Sequence, residues 1–156
     1  MWDRAREKPT FLREWVTIMV KSLVLSEYSD NPPQASETGR IKIRQGPLYA
    51  LERVQELVSD ENQLIAWTEK CRKDVHKLFD GDLSLVAELI RCLKTTDYID
   101  SEWCQNGRGA LAACDAYSIR RQEVMAGTGR SMPVEYFLKF AIGKTGKLVL
   151  TVSCHV

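Results

Sequence analysis

The chain has 156 residues, 44% apolar and 28% charged, with 22 basic and 21 acidic side chains and a net charge of +1. That length suits one domain with its own core, and the near-zero balance excludes a molecule that binds nucleic acid through bulk charge. The charge is uneven: residues 1–100 hold 15 basic and 17 acidic groups, residues 101–156 hold 7 and 4, so any anionic partner is expected at the C-terminal third.

Residues 11–25 carry Leu12, Trp15, Ile18, Met19 and Leu23 at helical spacing and predict a helix. Arg13, Glu14 and Lys21 interrupt its apolar run, which is too short and too charged to span a bilayer, and no secretory cleavage site stands out. The cysteines, Cys71, Cys92, Cys104, Cys114 and Cys154, are odd in number. Without a secretory signal they read as free thiols in a reducing cytoplasm. Residues 26–39, with Pro32, Pro33 and Gly39, predict a loop, and "RIKIR" (40–44) is a short strand or more loop. Residues 1–46 thus read as a helical extension and linker, and 47–156 as the main domain.

Pro47 suits a first helical turn, and Leu48, Leu51, Val54 and Leu57 or Val58 follow at helical spacing. A second helix is expected over 61–79, with Leu64, Trp67, Cys71, Val75 and Leu78 as its stripe. Asp82 is a good N-cap for a third, where Leu83, Val86, Leu89, Ile90 and Leu93 face a core. After Leu93 the period changes, and the stretch up to Ala113 is polar, aromatic and glycine-containing. Strands are expected over 114–124, 134–142 and 147–155, with a loop at 126–133 and a turn over Gly143–Gly146. The plan is α+β: N-terminal helices packed on a small C-terminal antiparallel sheet.

Several motifs carry less than they suggest. "GKTGK" (143–147) joins two strands and lacks phosphate-loop spacing. Cys104, Cys114, Cys154 and His155 contain no paired-cysteine spacing, and the last two, adjacent on a strand, face opposite ways, so buried thiols are the simpler reading. His76 reads as a surface or core-edge residue.

The run "PLYALERVQELV", the following helices, "LIRCLKTTDYIDS", "CDAY" and "YFLKFAIGKTGKLVLTVS" together resemble the MqsR toxin family over about residues 47–155. The resemblance implies a RelE-like fold, endonucleolytic cleavage of mRNA, on or off the ribosome, and silencing by a cognate antitoxin protein. It implies no metal or other cofactor and no membrane. Against the family's "DFYKS" this chain has "DYIDS", so Asp100 replaces a lysine. Cys114 stands where glutamine is expected, Phe137 where tyrosine is expected, and His155 where the last strand carries a catalytic lysine. Lys139, Asp115 and Tyr117 match.

The implied reaction is attack of a 2′-hydroxyl on the adjacent phosphorus, which needs a base, an acid and cations around the phosphoryl oxygens. On that reading His155, Lys139, Tyr117 and Asp100 are the expected catalytic set. Asp115 is a further candidate to serve as base or to orient His155. Arg120, Arg121 and Arg108 would clamp phosphate, and since adjacent strand residues face opposite ways, at most one of Arg120 and Arg121 serves the site. Trp103 and Tyr98, with Tyr117, would stack bases. The alternative, motivated by the replaced lysine and glutamine, is a non-catalytic MqsR-like module that binds RNA or protein.

Overall fold

The computed structural model describes residues 23–34 and 40–156. Among them six strands form one sheet: β1 (Ile41–Ile43), β2 (Leu64–Ala66), β3 (Tyr98–Gln105), β4 (Leu111–Val124), β5 (Ser131–Ile142) and β6 (Val149–His155). The helices are α1 (Leu51–Leu57), α2 (Glu69–Phe79) and α3 (Leu83–Cys92). The spatial order is β1-β3-β4-β5-β6-β2, antiparallel except for the parallel β2–β6 pair. No helix among the described residues is long and apolar enough to cross a membrane.

This corrects the expected architecture. The sheet is mixed, not antiparallel, and it is not confined to the C-terminal part, because both edge strands come from residues before the helical pair. Only a loose α+β description survives. The expected helix over 61–79 breaks into a 3-10 turn, Glu61–Gln63, then β2, then α2. The cause is tertiary: Leu64 and Ile65 complete the open edge of β6, and the Trp67 amide donates to the Thr151 carbonyl at 2.9 Å. The Thr68 side chain then caps α2 by accepting from the Cys71 amide. Cys71 and Val75 do form a buried stripe. Asp82 caps α3 through the Ser84 amide, as its position predicts. Of the predicted first helix, residues 11–22 lie outside the described residues, and Leu23–Leu25 are extended, not helical.

Residues 23–27 have a distinct task. The register of β4 with β5 stops at Asp115–Phe140, where the two strands separate. The Leu25 amide donates to Leu111 O at 2.8 Å, and the Glu27 amide donates to Ile142 O at 2.8 Å. The segment therefore bonds to both separated strands and closes the gap.

Helices and sheet meet over a core that includes Val54, Val86, Ile90, Tyr117, Leu138 and Phe140, all at most 1% exposed. Tyr117 stacks on Phe140 with ring centroids 5.3 Å apart. Asp115 lies fully buried on this side of the sheet. Its carboxylate accepts from the amides of Leu48 (2.9 Å) and Tyr49 (3.1 Å) and from the Ser101 hydroxyl (2.6 Å). Those bonds hold the chain in a turn up to Ala50, so α1 begins at Leu51 and not at Pro47. Gly46 passes so close to the Tyr98 and Ser101 hydroxyls that any side chain there would collide with them. Burial pushes the Asp115 carboxyl up, and the Ser101, Leu48 and Tyr49 hydrogen bonds oppose that push.

Asp115→Ala orphans these buried donors. We expect a loss of about 3 kcal/mol, seen as a lower denaturant midpoint at unchanged slope. An unchanged midpoint would show that the bonds do not anchor the turn.

Candidate functional site

Directly opposed residues of antiparallel strands share a sheet face. The register therefore lays out the side away from the core as rows. Lys42, Glu102 and Cys114 form one row; Asp100, Ala116, Lys139 and Ser153 the next; Ser118, Phe137 and His155 a third; Arg120 and Glu135 a fourth. His155 and Lys139 are thus diagonal neighbours on one face, a relation that places side chains about 7 Å apart. Both line a groove of about 260 Å³ with Arg40, Ile99, Phe137 and Ser153. Ile99 reaches it because β3 shifts register between Tyr98 and Asp100, turning one extra residue toward this side.

A buried carboxylate organises the groove wall. The Glu102 side chain is 4% exposed, is hydrogen-bonded by Lys139 Nζ, and has Lys42 Nζ 3.0 Å from its other oxygen. Lys42 also pairs with Asp100 at 2.6 Å, and those two acceptors raise the Lys42 ammonium above its usual range. Burial alone would raise the Glu102 carboxyl. The hydrogen bonds and charges of Lys139 and Lys42 outweigh it and hold the group below the usual range. Among the described residues, the His155 side chain has no hydrogen bond or ion pair; its ring stacks on Phe137, with centroids 5.4 Å apart at 23°. Arg40 is exposed at the groove and has no ion pair among the described residues.

Of the expected residues, then, the fold brings His155 and Lys139 together, with Asp100 on the same face but tied to Lys42. Arg120 is on that face too, one row beyond His155, 72% exposed and 3.7 Å from Glu135. Arg121 is on the helical side, paired with Glu88 at 3.7 Å and Glu123 at 3.5 Å. Arg108 sits in the exposed β3–β4 turn, at the far end of the hairpin from the groove. Tyr117, Trp103 and Tyr98 do not present their rings to the groove's face. The Tyr117 side chain belongs to the core, where burial lifts its hydroxyl to about 12. Trp103 is buried beside Val24 and Ile43, with Tyr28 at 6.3 Å. Tyr98 packs edge-on against Tyr117, and its hydroxyl bonds Ser101 at 2.6 Å. Asp115 is committed to the core, as described above.

The cysteines divide by face. Cys104 and Cys114 are free thiols, and a hydrogen bond from Cys114 lowers the Cys104 thiol although burial pushes the other way. Cys154 faces α2 on the core side, and burial lifts it to about 12. It therefore cannot join Cys104 and His155 around one centre, and among the described residues no group of three or more His, Cys, Asp or Glu side chains could hold a metal.

Residue reasoning along the chain missed Arg40, Glu102 and the stacking role of Phe137. The signal for Glu102 was present: Asn106-Gly107 is a strong hairpin marker, and it makes 98–105 a strand with Glu102 facing the same way as Asp100. Arg40 had no such signal. No family model, curated protein or solved structure matches the chain.

The depressed Glu102 carboxyl adds stability at neutral pH that is lost as pH falls through its lowered pKa. Glu102→Gln removes that contribution. The gap in unfolding free energy between wild type and variant should be widest near neutral pH and shrink on acidification. A gap independent of pH would contradict the ion-pair account.

Proposed function

We propose that the chain is a toxin-type endoribonuclease that cuts mRNA and is held in check by a cognate antitoxin. One observation carries this reading: His155 and Lys139 project from one face of the sheet into a single groove that Arg40 also lines. The resemblance of residues 47–155 to the MqsR toxin family supports it from the side of sequence.

The groups present suit 2′-hydroxyl attack. The His155 imidazole takes the 2′-hydroxyl proton while that oxygen bonds to phosphorus. The P–O5′ bond breaks, and the leaving oxygen takes a proton from the imidazolium or from water. The products are a 2′,3′-cyclic phosphate and a 5′-hydroxyl. Arg40 offers a bidentate fork to the phosphoryl oxygens. Lys139, already bonded to Glu102, contributes a fixed positive end and no proton.

A second reading, binding without cutting, rests on a specific observation. Tyr117 lies in the core and Asp100 is engaged by Lys42, so one imidazole must serve both proton transfers. Expression of the chain alone in cells separates the two readings: growth arrest with fragmented transcripts supports cleavage, and normal growth with intact transcripts supports the module.

For the cleaving protein, His155→Ala should lower the cleavage rate by roughly 10²–10⁴-fold. Tyr117→Phe should leave it within about twofold, because the hydroxyl faces the core. A Tyr117→Phe variant as defective as His155→Ala would overturn this assignment of roles.

A further inference from the structure

We propose that the Phe137–His155 ring pair is a platform for one unpaired nucleobase, which makes the ligand of this groove single-stranded RNA. The inference rests on the proposed RNA function and names the substrate class that function would require.

The geometry is that of a half-made stack. The two rings lie 5.4 Å apart at 23°, and both side chains are partly exposed and line the groove. Among the described residues, Phe137 is the one partly exposed phenylalanine or tyrosine lining the groove, since Tyr117 is 1% exposed. Ile99, 49% exposed, adds an apolar surface within the same groove. An aromatic face of this kind gains most by covering a second π-system, and every base offers one.

Size and charge narrow the occupant. The volume of about 260 Å³ is on the scale of one nucleotide and far below that of a helical segment. In a duplex the base faces are already covered by their neighbours, and only edges and backbone are reachable. An aromatic platform can therefore be used only by a base free to leave a stack. Arg40 lines the groove and Arg120 lies one row beyond His155 on the same face, so cations flank the platform along the direction a backbone would take. The buried acid on this face, Glu102, is paired with Lys139 and Lys42.

The test reads binding alone, so it does not depend on cleavage. A short RNA with 2′-O-methyl substitution at every position cannot be cut by 2′-hydroxyl attack, and a 2-aminopurine in it reports stacking by fluorescence quenching. Phe137→Leu keeps apolar volume and removes the ring; Phe137→Tyr keeps the ring. We expect quenching on wild type, affinity about tenfold weaker in Phe137→Leu, and affinity retained in Phe137→Tyr. The duplex form of the same oligonucleotide should compete poorly. Equal affinity of wild type and Phe137→Leu, both melting normally, or equal competition by the duplex, would overturn the platform while leaving RNA binding intact. A wild-type chain that binds no RNA would instead bring down the functional reading itself.

Discussion

A carboxylate buried without a cation fixes the two faces of this protein. Asp115 is fully buried, and it is satisfied by two backbone amides from the turn before α1 and by the Ser101 hydroxyl of β3. Such a group tolerates little displacement, because each lost bond leaves a buried polar atom without a partner. Its position therefore pins β4. Strands alternate strictly, so holding Asp115 inward sends Ala116 and Ser118 outward and draws Tyr117 inward. A slip of one residue would put Tyr117 in the groove and Asp115 in front of Lys139. The layout of the candidate site is thus decided on the opposite side of the sheet from the site.

Glu102 solves the problem of a buried acid the other way. Its side chain is 4% exposed and held by two ammonium groups, one from β1 and one from β5. The two acids sit one position apart across the β3–β4 pair, since Glu102 faces Cys114 and Ser101 faces Asp115. Asp115 binds the helical layer to the sheet through neutral donors. Glu102 binds β1, β3 and β5 to one another across the exposed side, and in doing so it fixes the Lys139 ammonium in place. Among the described residues, Arg40 is the groove cation with no acid paired to it.

The long periodic stretches were the legible part of the chain. Asp82 and the apolar spacing after it define α3, and alternation in "VEYFLKFAI" and "KLVLTVSCH" marks the β5–β6 hairpin, but the register shift between Lys139 and Phe140 that brings His155 onto the face of Lys139 was not legible in it. Short edge strands were not legible. Leu64, Trp67, Cys71 and Val75 satisfy helical spacing as a set, yet Leu64 belongs to a strand because β6 offers it an open parallel edge. Nothing within three residues encodes that tertiary pairing. The aromatic residues misled for a related reason. Tyr98, Trp103 and Tyr117 stand among polar neighbours, which reads as exposure. In β3 and β4 those neighbours occupy the other face, and the rings point into the core.

The groove itself is a product of side-chain size. Around Lys139 and Phe137 the neighbouring strands present Ala116 and Ser118 on β4 and Ser153 on β6. Larger residues at those positions would fill the space and leave an ordinary polar sheet surface. Because the walls are central strands instead of loops, the rings and ammonium group are held by three hydrogen-bonded neighbours, and their separation is set by strand spacing. Positioned proton transfer and base stacking both need that rigidity, since either loses most of its effect when the partner drifts by about 1 Å. For the proposed chemistry, His155 is suited by its place, because pairing with β5 fixes its ring against Phe137 one row from Lys139.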